Sequence, residues 1–201
     1  MIYVNSYNYL MSNVDGRILR SQKSQNIILV AIIDLIKNGN LYPTAEEVAK
    51  KSGIAIRTVF RHYEDMETLL MKADEFINKN IIRNDALIIN PDKPVFIRLK
   101  EIISERIYFY SKYENIMIAT ITQLPKYKFL QRRYPEYQRL LKKRTEKIIP
   151  EVLILSNINQ ELMDATLSFI FWQRLKLQKM KKEDINIAIY NQCKQLLRGS
   201  G

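Results

Sequence analysis

Residues 44–70 read TAEEVAKKSGIAIRTVFRHYEDMETLL, and this stretch decides the fold. Thr44 followed three residues later by Glu47 is a capping box, which starts a helix by satisfying its first free backbone N–H groups. Val48 and Ala49 give that helix an inward face. Gly53 supplies a residue that tolerates left-handed backbone and makes the turn. Ala55 to Tyr63 reads as a further helix, with Val59 and Phe60 as candidates for its inward face. Glu64 and Asp65 then open another, because acidic residues suit the positive end of a helix dipole. Two short helices joined by a glycine turn form a helix-turn-helix, whose second helix is shaped to enter the DNA major groove.

Outward from this stretch the pattern stays helical. Ile27, Ile28, Val30, Ala31, Leu35 and Ile36 recur at helical spacing, which predicts a first helix over 24–38 that ends at Gly39 and Asn40. The helix opened at Glu64 is expected to run to about Ile89. Asn90-Pro91-Asp92-Lys93-Pro94 is the clearest break in the chain. Beyond it, helices are expected over 95–110, 114–124, 135–149, 160–178 and 183–197, with Pro125 and Pro150 as stops. No repeat and no strand alternation stands out. The expected fold class is all-α: a three-helix DNA-binding domain over 1–70, and a larger helical ligand-binding and dimerisation domain over 71–198.

Composition narrows the function. The 201 residues are 47% hydrophobic and 26% charged, ordinary globular values. One Cys and one His do not make a zinc site, which wants several such ligands. No metal, cofactor or catalytic residue is expected, since no glycine-rich phosphate loop or activated nucleophile stands in the sequence. No apolar run reaches the roughly 20 residues of a transmembrane helix. The N-terminus has no basic start and carries Asn and Ser among its apolar residues, unlike a signal peptide. A cytoplasmic protein without a membrane partner is the expectation.

The net charge of +11 fits a nucleic-acid partner, yet its distribution is uneven. Residues 1–70 hold eight Lys or Arg against seven Asp or Glu, whereas residues 126–147 hold nine against two. The basic stretch reads as a solvated helix face, with an anionic ligand as the alternative.

Candidate DNA contacts are Thr44, Ile56, Arg57, Thr58, Phe60, Arg61 and His62. Arg57 and Arg61, four apart, share a helix face. Such an arginine pairs bidentately with guanine or clamps phosphate. Arg17, Arg20 and Lys23 precede the expected first helix as a basic arm. Two arginines on a short helix are also ordinary solvated charges in many proteins, and Arg61 has Glu64 and Asp65 within reach as partners.

Gly53-Ile54, Arg57-Thr58-Val59-Phe60-Arg61-His62-Tyr63 and Asp65-Met66-Glu67-Thr68-Leu69 together resemble the N-terminal domain of TetR/AcrR-type transcriptional regulators. The resemblance covers roughly residues 17–76. It implies a homodimeric repressor on double-stranded operator DNA, released by a small-molecule effector that binds an all-helical C-terminal domain. Two copies would hold recognition helices about 34–36 Å apart, one DNA turn. Three departures stand out: Phe60 where many members have Tyr, Met66 where many have Lys, and Ala55 where Ser is usual. Each removes a polar group.

In the second region Tyr108, Tyr110, Tyr113, Met117, Ile121, Phe169 and Trp172 are candidate pocket residues, and core packing is the plainer account of each. The broad stripes of the last two helices, with Leu162, Phe169, Ile185, Ile189 and Leu196, are candidate dimer contacts, since one subunit alone would leave apolar surface exposed. The alternative to a regulator is a helical homodimeric interaction protein whose helix-turn-helix no longer binds DNA.

Overall fold

The computed structural model describes residues 16–79 and 88–199. Among them it has ten α-helices, one 3-10 segment and no strand. The fold is all-α. The chain divides into two compact units, Met1–Lys79 and Asn80–Gly201.

The first unit contains α1 (Gly16–Lys37), α2 (Ala45–Ser52), α3 (Ile56–His62) and α4 (Met66–Ile77). Ile28 and Ile32 of α1, Val48 of α2, Val59 of α3 and Leu69 of α4 are almost wholly buried and form its core. α1 packs on both α2 and α4, and α2 on α3. The unit extends past residue 70 because α4 buries Leu69, Leu70, Ala73 and Ile77. The expected continuation of α4 to Ile89 passes through residues 80–87, outside the described residues.

α1 starts eight residues before the expected Ser24. Ile18 and Leu19 are half-exposed there, so no apolar period marks these two turns. Arg, Leu, Gln and Lys nevertheless all favour helix. Gly39, at φ +96°, ends α1; its N–H and that of Asn40 return to the carbonyls of Ile36 and Leu35, the left-handed helix stop.

The second unit contains α5 (Val95–Lys112), α6 (Glu114–Gln123), α7 (Lys128–Ile148), a 3-10 turn (Pro150–Ile154), α8 (Asn157–Thr166), α9 (Phe169–Leu177) and α10 (Lys182–Arg198). α5 follows the Asn90–Pro94 break, as the sequence implies. It lies at the centre, against α7, α9 and α10. Leu99, Ile102, Ile107, Ile149, Met163, Trp172, Ile185 and Cys193 fill the core. Burial pushes the Cys193 thiol up to about 12, so it packs as a small apolar group.

Two boundaries differ from the sequence reading. α7 begins seven residues before Pro135, which lies inside the helix on its exposed side, where the ring meets solvent instead of a packed neighbour. The expected helix 160–178 is two helices, broken at Leu167-Ser168. Ser168 caps α9 by accepting from the Phe171 N–H at 3.2 Å. Buried groups of α5 use the break: Arg106 and the Tyr110 hydroxyl donate to the Leu167 carbonyl at 3.2 and 2.7 Å.

Candidate nucleic-acid interface

The turn between α2 and α3 is built from three local devices. Thr44 Oγ1 accepts from the Glu47 N–H at 3.3 Å, and Glu47 Oε2 accepts from the Thr44 N–H at 2.8 Å. The bond from the Thr44 amide is the chief reason the Glu47 carboxyl titrates below its usual range. Gly53, at φ +69°, closes α2 by donating to the Ala49 carbonyl. Asp65 then starts α4 by accepting from the Thr68 N–H at 2.7 Å.

α3 itself has no side-chain cap, because Ala55 stands at that position. Tertiary contacts hold it instead. Val59 is buried, and so is Tyr63 just after the helix. The Tyr63 hydroxyl donates to the Gln25 carbonyl of α1 at 3.2 Å, and burial pushes its phenol up to about 12. Gln25 Nε2 lies 3.5 Å from His62 Nδ1. These anchors fix which face of α3 points away from the core.

That outer face carries Ile56, Arg57, Phe60 and Arg61, all exposed. The two arginines make no ion pair or hydrogen bond with any described residue. Of the two acids near Arg61 in sequence, Asp65 is occupied in capping α4 and Glu64 makes no ion pair among the described residues. Phe60, an inward candidate from the sequence, is 43% exposed because Val59 alone of the two faces the core; its large apolar ring is left in solvent next to two free guanidinium groups. Thr58 is half-buried, and its hydroxyl is unengaged among the described residues.

Other candidates sit differently. Thr44 has its amide and an oxygen lone pair committed to the capping box, which leaves only the hydroxyl proton for phosphate. His62 faces α1, with Nε2 buried and unpartnered. Burial, with the neighbouring Arg61 charge, holds its pKa below the usual histidine range. Its role in the fold is packing at the α1–α3 seam. Arg17, Arg20 and Lys23 are exposed on the first turns of α1, within the helix and not before it as the sequence reading expected of a basic arm. Sequence reasoning missed Gln25 and Tyr63 as the groups that orient α3. Tyr63 has the large apolar body and polar tip of an anchoring residue, but Gln25 offers no signal at all.

In the second unit, Tyr110, Tyr113, Phe169 and Trp172 are buried. Tyr110, Phe169 and Trp172 form one aromatic cluster with ring centres 5.6–5.8 Å apart. Met117 and Ile121 are half-buried against that core, and Tyr108 is exposed. Of the candidate dimer contacts, Phe169, Ile185 and Ile189 are buried within their own unit, Leu196 is half-buried and Leu162 is exposed. Core burial explains the first three: their stripes face α5 and the aromatic cluster, not outward.

A solved structure similar to this chain is a TetR-family transcriptional regulator from Haemophilus influenzae, at TM-score 0.56 and 14% identity over 88% of this chain and 96% of that one. The chain has a TetR-like fold. No protein-family model matches the sequence, and no curated protein does. In the TetR-like fold described here, no helix among the described residues is long and apolar enough to cross a membrane.

Proposed function

We propose that this chain is a DNA-binding transcriptional regulator that reads double-stranded operator DNA through α3. The observation that carries this reading is the unpaired Arg57–Arg61 face, held outward by the buried Val59 and Tyr63. Arginines on a groove-sized helix, free of acidic partners, are preorganised to donate to guanine edges or phosphates. Thr44, Thr58, Ile56 and Phe60 flank them as further contacts, with Arg17, Arg20 and Lys23 as phosphate contacts on α1. His62 supports the face from behind.

The TetR-like fold supports a homodimeric, cytoplasmic repressor released by a small-molecule effector. Exposed apolar side chains support the homodimer: Ile158 is 72% and Leu162 47% exposed one turn apart on α8, and Ile154 is 78% exposed at the end of the preceding 3-10 turn. The half-buried Met117 and Ile121, packed against the core that contains the aromatic cluster, are the side chains we assign to an effector site. Sedimentation at micromolar concentration tests the dimer, and a monomer there overturns it.

Selection from a random duplex pool tests the function. The full chain should enrich a palindromic sequence, and Arg57→Ala should abolish the enrichment. A pool that stays random favours the second reading, a helical interaction protein with a degenerate helix-turn-helix. The exposed Ile56 and Phe60 are what favour that reading.

A further inference from the structure

The charge of this protein gathers on α7, and the structure sorts the cations of that helix into two groups. Arg133 binds Glu136 at 3.0 Å, Lys142 pairs with Glu161, and Arg144 holds both oxygens of Glu105 at 2.6 and 2.8 Å. Lys128, Arg132, Arg139, Lys143 and Lys147 are exposed and have no ion pair or hydrogen bond among the described residues. At 3.6 residues per turn, the first four fall within an arc of about 60° on the helix surface, with Lys147 just beyond it. They run about 28 Å along the axis at the usual rise per residue. Of the buried residues, Leu130, Thr145 and Ile148 occupy the opposite side, and Phe129 lies at the azimuth of Lys147, beyond the arc of the first four cations. Both acids on α7 fall on the side of the row, Glu146 inside its arc and Glu136 between the arc and Lys147; Glu136 is engaged by Arg133, and Glu146 is half-buried and acts on Lys142.

We propose that this row is a second DNA-binding surface, one that holds the phosphate backbone of double-stranded DNA without regard to sequence. Five cations in line, with the single carboxylate of Glu146 among them, repel one another. A polyanion laid along them removes that repulsion and releases its own condensed counterions. The row is close in length to one turn of B-DNA, about 34 Å. An anionic bilayer fits less well, because a membrane-surface helix needs an apolar row beside its cations, and Leu140 is the single large apolar side chain exposed on α7. The inference does not rest on α3 reading an operator, since the row and the Arg57–Arg61 face lie in different units.

The test uses the full chain and a 24-base-pair duplex of random sequence, followed by fluorescence anisotropy across a salt series. The variant is Arg132→Gln/Arg139→Gln/Lys143→Gln, made both in the native chain and in an Arg57→Gln/Arg61→Gln background. Binding in low salt should weaken about tenfold or more in both. The slope of log affinity against log salt should fall by roughly 2 to 3, for three lost phosphate contacts. Unchanged affinity and slope overturn the proposal. So does a variant that loses binding to phosphatidylserine-containing vesicles while keeping its duplex binding, which would assign the row to a membrane. If the triple variant melts well below the native chain, Lys128→Gln/Lys147→Gln, at the ends of the row, replaces it, and the expected fall in slope is about 2. Failure of the α3 reading shows elsewhere, as a lack of sequence selectivity in the native chain.

Discussion

Arg57 and Arg61 in the first unit and Arg98 and Arg106 in the second are the same side chain in opposite circumstances. The first pair projects into solvent with no partner among the described residues. The second pair is buried and fully engaged. Arg98 donates to the Lys93 carbonyl at 2.7 Å and to the Ile148 carbonyl, and pairs with both oxygens of Glu151. Arg106 is held by the Leu141 and Leu167 carbonyls and by Thr145 Oγ1. Arg98 ties the Ile148 carbonyl at the end of α7 to α5, and Arg106 ties the Leu167 carbonyl at the α8–α9 break and the Leu141 carbonyl inside α7 to α5; at the helix end and the break such carbonyls lack intrahelical partners. Net charge does not separate these roles. The partner set of each guanidinium does.

The largest effect that would break this contrast lies in the buried pair. Arg106→Met should destabilise the second unit by about 3 kcal/mol in urea unfolding, because it strands buried acceptors. Duplex DNA binding by the folded variant should not change. A loss below about 0.5 kcal/mol would mean that the network contributes no net stability.

The free pair should behave in reverse. Arg57→Ala and Arg61→Ala should each weaken binding to a selected operator by about 1–3 kcal/mol, or roughly tenfold to a hundredfold, with relaxed preference at one base position. Their unfolding midpoints should stay at the native value, since no described residue loses a partner. A drop in stability would show that the guanidinium groups do structural service after all.

Gly53→Ala sharpens the comparison at the joint between α2 and α3. Open space surrounds the glycine, so the cost is the backbone conformation alone, about 1–2 kcal/mol for a left-handed residue with a Cβ. Thermal melting would read that cost, and DNA affinity at low temperature should be nearly native.

The smallest effect is one of pH, and its sign differs between the units. The lowered pKa of His62 means that the unfolded chain takes up its proton first. The histidine contribution is therefore complete above the unfolded pKa near 6.5 and is lost as pH falls below it. In the second unit Asp164 has a raised pKa, chiefly from burial and despite the nearby Arg106 and Lys142 charges. Its penalty is present above the folded pKa and is relieved as pH falls through that value. Hydrogen exchange at pH 7.5 and 5.5 should show the first unit weakening relative to the second on acidification, and His62→Gln should flatten that response.

The sequence made the turn between α2 and α3 legible because each device there is local: a capping pair, a glycine, an acidic helix start. It made α3 legible for the same reason. The start of α1 was hidden because Ile18 and Leu19 face solvent, so periodicity, the signal being read, is absent. The Leu167-Ser168 break was hidden because what stabilises it comes from Arg106 and Tyr110, some sixty residues away. Dimer and pocket candidates were drawn from apolar stripes, and a stripe does not say whether its cover lies in the same unit. Phe169, Ile185 and Ile189 are covered by their own unit, and Ile154 and Ile158, read as nothing in particular from the sequence, are not.

α3 is stabilised from one side only, through Val59, Tyr63 and the α1 seam. Residues 56, 57, 60 and 61 are therefore positions where the alphabet can change without disturbing the scaffold. A combinatorial library at these four sites should yield mostly folded members, and under the proposed reading of α3 their sequence preference should change separately from folding.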